Sequence, residues 1–175
     1  MGDETKRFID KIKGMGFSYW QVLPLNPPDF HGSPYTSDAA FAISHMFVSP
    51  DELVKDGLVS AEDIERSVYY GSPYTADYEF AYSARLELLR KAYSNAGEAI
   101  KAKAEKFADE NEWCKSYSLF MAAKEKFDNK PWYEWGEDFA RYENCLKNAD
   151  KLKDEADFYA FVQYIAFSQW KEIKL

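Results

Sequence analysis

Cysteine is scarce, at two in 175 residues, and Cys114 and Cys145 cannot build a disulfide framework or a metal knuckle. Neither has a cation beside it in sequence, so both read as core thiols in a reducing compartment. Histidine is equally scarce: His31 and His45 are too far apart for a local metal pair, and no metal or other cofactor is expected. Positive charge is in deficit, with 22 Lys and Arg against 30 Asp and Glu and a net charge of -8, which excludes a nucleic-acid partner. No apolar run approaches the roughly 20 residues of a spanning helix, so no membrane partner is expected. Met1 to Arg7 has no apolar stretch after it, and a cytoplasmic location is the expectation. Glycine motifs give nothing either. Gly14-Met15-Gly16 precedes a candidate strand instead of following one, and Ser33 lies in Gly-Ser-Pro, outside any nucleophile elbow. No repeat and no low-complexity segment stands out.

Aromatic residues are abundant, with 13 Tyr, 13 Phe and 5 Trp making 18% of the chain. Most are expected in the core, where each ring buries ~150–250 Å². Rings on loops are the exceptions to follow, because a flat apolar face with a phenol or indole suits a sugar ring. Along the chain, Asp3 or Thr5 is positioned to cap a first helix with a Phe8, Ile9, Ile12 stripe, ending at Gly14-Met15-Gly16. Ser18-Tyr-Trp-Gln-Val-Leu-Pro-Leu25 is the one convincing strand, closed by Pro24 and Asn26-Pro27-Pro28. After residue 48 the pattern is helical. Ser49 and Pro50 start one helix and Gly57 stops it; Ser60 to Asp63 start another. Further helices are expected over Ala76 to Ala92, after an Asn111 cap, and after an Asp154 cap with a Phe158, Phe161, Val162, Ile165, Gln169 stripe. Pro131 to Gly136 is a turn packed with rings. The sum is one strand and about six helices. A lone buried strand has no neighbours here, so it pairs with another chain or belongs to a larger α/β protein.

Residues 26–48 form a loop longer than the ~12–15 residues usual inside a compact domain, rich in rings and poor in charge. It leaves the C-terminal end of the candidate strand, where parallel α/β folds place their sites. Asp29 and Asp38 are its only acids. A retaining glycosidase needs two carboxyls ~5–5.5 Å apart, and these two are the local candidates. The competing reading is an Asx-turn at Asp29 and a local cap at Asp38.

The run Ser18-Tyr-Trp-Gln-Val-Leu-Pro-Leu-Asn-Pro, then Gly32-Ser-Pro-Tyr-Thr-Ser, then Ala40-Phe-Ala, resembles the signature of the 4-alpha-glucanotransferases, also called amylomaltases. Further landmarks follow in order: Leu53-Val-x-Asp-Gly-Leu58, Asp77-Tyr78, Asn111-x-Trp113, Ser116-Tyr117-x-Leu-Phe-Met121, Pro131-Trp132-x-x-Trp135, Phe161-Val-Gln163 and Gln169-Trp170. The resemblance spans nearly the whole chain.

It implies an α/β fold: part of a (β/α)₈ barrel around its second strand, in a segment that is itself mostly α-helical. Residues 1–48 would be the barrel piece, 49–152 an inserted helical subdomain, and 153–175 a helix returning to the barrel. The partner it implies is a maltooligosaccharide or other α-1,4-glucan, transferred between chains by double displacement. Tyr35 would face the sugar that becomes covalently attached, with Ser33 as a hydrogen-bonding neighbour. Phe30 stands where the family often has a glucan-contacting tyrosine, keeping the ring and losing the hydroxyl. Asp38 borders the same turn. Asp38-Ala39-Ala40 and Ile43-Ser44-His45 depart from the family pattern beside it. The family's catalytic carboxylates lie in later strands and have no counterpart here, so this chain alone is expected to be inactive and to need the remainder of the barrel. Two alternatives are a non-catalytic glucan-binding module and a helical interaction protein.

Overall fold

Short-range chemistry sets most of the elements. Ser60 and Asp63 make a reciprocal capping box, each side chain bonding the other's backbone N–H, and start α3, Ala61–Arg66. Ser49 is the N-cap of α2, Pro50–Lys55, which Pro50 opens and whose first turn carries Asp51 and Glu52 on the positive end of the dipole. Gly57 ends that helix at a φ of +69°, a conformation only glycine adopts without strain. Asp77 accepts from the Phe80 N–H at 2.9 Å to start α4, Tyr78–Asn95.

The computed structural model describes every residue except Phe30, His31, Pro73 and Leu175, and leaves the side chain of Lys174 undescribed. The remaining helices are α1 (Asp3–Gly14), α5 (Glu98–Glu110), α6 (Glu112–Lys126), α7 (Tyr142–Lys147) and α8 (Lys153–Lys174). Two compact units result, Met1–Ala96 with Ile165–Leu175 and, separately, Gly97–Tyr164. In the first unit Val48, Leu53, Leu89 and Ala166 are fully buried. In the second, Leu119, Trp135, Phe139, Phe158 and Phe161 are buried, and Cys114 packs with Ala108 and Ala160 against Phe107 and Trp113. Trp135 stacks on Phe127 at 6.0 Å and donates its indole N–H to the Lys130 carbonyl at 2.7 Å. Among the described residues no helix is long and apolar enough to cross a membrane.

Several expectations are corrected. The segment 18–25 forms no strand, and no strand occurs among the described residues. It is not buried either: Tyr19 is 93% exposed and Leu23 61%. A strand exists only by pairing, and the described residues supply no partner ladder. The first helix is capped at Gly2 without any side-chain bond, leaving Asp3 in the first turn. Asn111 occupies the N-cap of α6, but its amide donates back to the Phe107 carbonyl at 2.8 Å. Asp154 lies inside α8, which grows directly out of a 3₁₀ turn over Ala149–Leu152. Two helices, α5 and α7, were not expected. Rings are also less buried than expected: Tyr35, Phe41, Tyr70, Tyr74, Tyr78, Trp132 and Tyr133 are all exposed.

Candidate functional site: the 26–44 loop

The loop is held from inside by Asp29. Its Oδ1 accepts from the Ser33 N–H at 2.8 Å and its Oδ2 accepts from the Thr36 hydroxyl. Backbone bonds close the same turn, from Asp29 N–H to the Ser33 carbonyl and from Gly32 N–H to the Asp29 carbonyl, both at 3.0 Å. Gly32 has a φ of +80°, which makes glycine the residue of choice there. Asp29 thus braces its own loop, through a bond that reaches the N–H four residues on and not the two of an Asx-turn. Asn26 adds a bond from its amide to the Pro34 carbonyl at 2.9 Å, and Ser44 N–H donates to the Leu25 carbonyl at 2.7 Å. Those last two bonds tie the loop's end to its beginning.

On this frame Pro34–Thr36 forms a single 3₁₀ turn, and Ser33 caps it by accepting from the Tyr35 N–H at 3.3 Å. Tyr35 is thereby lifted away from the body of the loop and is 71% exposed. The Ser33 hydroxyl accepts from the backbone and keeps its own proton to donate. Asp38 is exposed one residue beyond the Ser37 hydroxyl, which bonds both the Ala39 carbonyl at 3.0 Å and the Ala39 N–H at 3.1 Å. Ser33, Tyr35 and Asp38 therefore lie on one short stretch. The fourth candidate, Phe30, lies outside the described residues, as does His31.

His45 follows at the loop's exit, in a 3₁₀ turn over His45–Phe47 capped by Ser44. Its ring meets the Tyr82 ring edge-on at 4.3 Å, and its Nε2 lies 3.3 Å from the Tyr82 carbonyl. Burial pushes its pKa down to about 4, the Arg85 charge pushes the same way, and the Tyr82 contact opposes both. Neutral His45 is thus a packing residue that donates to the carbonyl. Sequence reasoning missed the buried anchor Gln169, whose amide binds Ser49 across 120 residues. Its signals were a polar residue within the apolar stripe of α8 and the Gln169-Trp170 landmark. Among the described residues no three His, Cys, Asp or Glu side chains gather as a metal-binding set.

A helical chain carrying an Asp29-braced loop that projects a tyrosine has a close counterpart among solved structures. The amylomaltase from Streptococcus agalactiae, solved in complex with acarbose, matches it with a TM-score of 0.89 at 30% sequence identity, over 99% of this chain and 36% of that one. The sequence profile of the 4-alpha-glucanotransferase family matches residues 1–175. The 4-alpha-glucanotransferases of Aquifex aeolicus and Clostridium butyricum are 37% and 35% identical, each over 99% of this chain and 36% of the relative. The chain belongs to the 4-alpha-glucanotransferase family. It spans about a third of the length of these relatives.

Proposed function

We propose that this chain carries the donor-side glucan contacts of a 4-alpha-glucanotransferase. The observation that carries the reading is the exposed Tyr35, held out by a serine-capped turn that is itself fixed by Asp29. Such a ring offers an apolar face to a glucose unit, while its phenol and the Ser33 hydroxyl bond the sugar hydroxyls. Phe30 adds a second ring and Asp38 a carboxylate acceptor beside the turn. The acarbose bound to the Streptococcus agalactiae amylomaltase supports a sugar ligand of this class.

The reaction is a double displacement. An aspartate outside residues 1–175 attacks the anomeric carbon, and the departing glucan takes a proton from a general acid. A second glucan then gives its hydroxyl proton to the same group as it displaces the aspartate. Within this chain Asp29 is spent on the loop, so no carboxylate of the 26–44 loop is assigned to the chemistry. Residues 1–48 and 153–175 are read as part of an α/β barrel and 49–152 as an inserted helical subdomain; the separate helical unit Gly97–Tyr164 supports an inserted helical body. The exposed apolar side chains at Tyr19 and Leu23 fit a strand that pairs with the remainder of the barrel. A cytoplasmic site of action belongs to the same reading.

The test is glucose release from maltotriose by the purified chain, alone and mixed with the remaining two-thirds of a family member. No release alone and release from the mixture is the expected result. Release that follows the isolated chain through purification would put the catalytic carboxylates inside it.

A further inference from the structure

Asn26 stands where the usual reason for a loop asparagine is missing. Such a side chain commonly bonds the backbone N–H two residues on, and here that residue is Pro28, which has no N–H. Pro27 has none either, and it biases Asn26 toward extended backbone. The half-buried side chain crosses the loop instead, and its amide donates to the Pro34 carbonyl at 2.9 Å, eight residues on.

That carbonyl belongs to the peptide unit joining Pro34 to Tyr35. The N–H of the same unit donates to the Ser33 hydroxyl at 3.3 Å. Both polar groups of one peptide plane are thus tied to side chains. A trans peptide points its carbonyl and its N–H in opposite directions, so the two bonds together oppose rotation of the plane. Such a rotation would change ψ of Pro34 and φ of Tyr35 at once, and the proline ring already fixes φ of Pro34. Tyr35 is 71% exposed, so its backbone, and not packing around the ring, decides where the side chain sets out.

The sequence holds a comparison for this clamp. Gly-Ser-Pro-Tyr-Thr recurs at 71–75, a short repeat that corrects the expectation of none. There Tyr74 N–H donates to the Ser72 hydroxyl at 3.3 Å, the same distance as in the first turn. The serine cap is therefore a property of the pentapeptide. The amide clamp is not, because the residue eight positions before Pro73 is Glu65, an ionised carboxylate that only accepts.

We propose that Asn26 is the positioning residue of Tyr35: it fixes the Pro34–Tyr35 peptide and so aims the ring at its ligand. An amide is needed for this, since an aspartate of the same shape turns a second acceptor toward the Pro34 carbonyl. The proposal rests on the glucan reading of Tyr35, and its test reads position and binding separately.

The test uses the 175-residue chain with Asn26→Asp and Asn26→Ala. Position is read without ligand, as the NMR coupling between the amide and α protons of Tyr35, which follows its φ. Binding is read by titration with maltoheptaose. Both variants should melt cooperatively and move the Tyr35 coupling toward that of a conformationally averaged tyrosine. Both should bind about three- to tenfold more weakly than the parent, Asn26→Asp the more so. A coupling unchanged from the parent would overturn the proposal whatever the affinity. So would a shifted coupling with full affinity. Loss of the cooperative melt in both variants would overturn it too, because Asn26 would then hold the unit together and not aim one ring. If the coupling shifts and the parent binds no maltoheptaose, Asn26 still positions Tyr35 and the glucan reading is what fails.

Discussion

The side-chain amide of Gln169 satisfies both backbone polar groups of Ser49. Ser49 N–H donates to Oε1 at 2.7 Å, and Nε2 donates to the Ser49 carbonyl at 3.3 Å. Both partners are buried, so each bond replaces one that water cannot supply. The pair fastens the end of α8 to the residue that starts α2. Gln169→Leu leaves a buried donor and acceptor orphaned and should cost about 1–3 kcal/mol, read as a lower urea midpoint with an unchanged slope. Gln169→Glu should also destabilise, since it keeps an acceptor for the N–H but turns a charge toward the carbonyl.

Acid should loosen the first unit through His45. Its folded pKa of about 4 lies below the ordinary value of 6.5, so the unfolded chain takes up a proton at a pH where the folded chain does not. Stability is therefore complete above about pH 6.5 and declines as the pH falls toward 4, by roughly 3 kcal/mol at the lower end. His45→Gln should flatten thermal stability over that window while leaving other acid transitions in place. Asp63 acts lower on the scale. The Lys91 ammonium first, then the Ser60 N–H, hold its carboxyl at about 2, so its contribution is present above the ordinary carboxylate range and fades as the pH drops toward 2.

Asp29 positions the turn that presents Tyr35. Asp29→Ala removes the acceptor for the Ser33 N–H and the Thr36 hydroxyl, and should weaken maltoheptaose binding about three- to tenfold with little change in melting temperature. Asp29→Asn keeps an oxygen for the Ser33 N–H and should recover part of the affinity. A variant that binds as the parent does would show that the turn holds without its carboxylate.

The cysteines should be inert in the folded chain. Burial pushes the Cys114 thiol up to about 11, against a weaker opposing bond with Ser118, and burial raises Cys145 too. Ellman's reagent at pH 8 should label neither until denaturant is added.

What could be read from sequence divides along a physical line. The capping box at Ser60 and Asp63, the Pro50 start, the Gly57 stop and the α8 stripe depend on neighbours within a few residues, and each was visible. The strand at 18–25 depends on a pairing partner, and its composition alone could not supply one. Helix α5 does carry a stripe of Ile100, Ala104, Phe107 and Ala108 at helical spacing, and the sequence reading passed over it because small alanines fill half of it; α7 escaped because six residues hold too little periodicity. Gln169 depends on a residue 120 positions away. The family landmarks pointed to the 26–44 loop, whose serine and tyrosine the structure presents together. The use of Asp29 inside that loop emerged only from its bonds.

The most direct test is isothermal titration of the 175-residue chain with maltoheptaose, with Tyr35→Ala run beside it. The account predicts weak binding by the parent that the variant loses at an unchanged melting temperature. Equal affinity in parent and variant, or no binding by a well-folded parent, would contradict it.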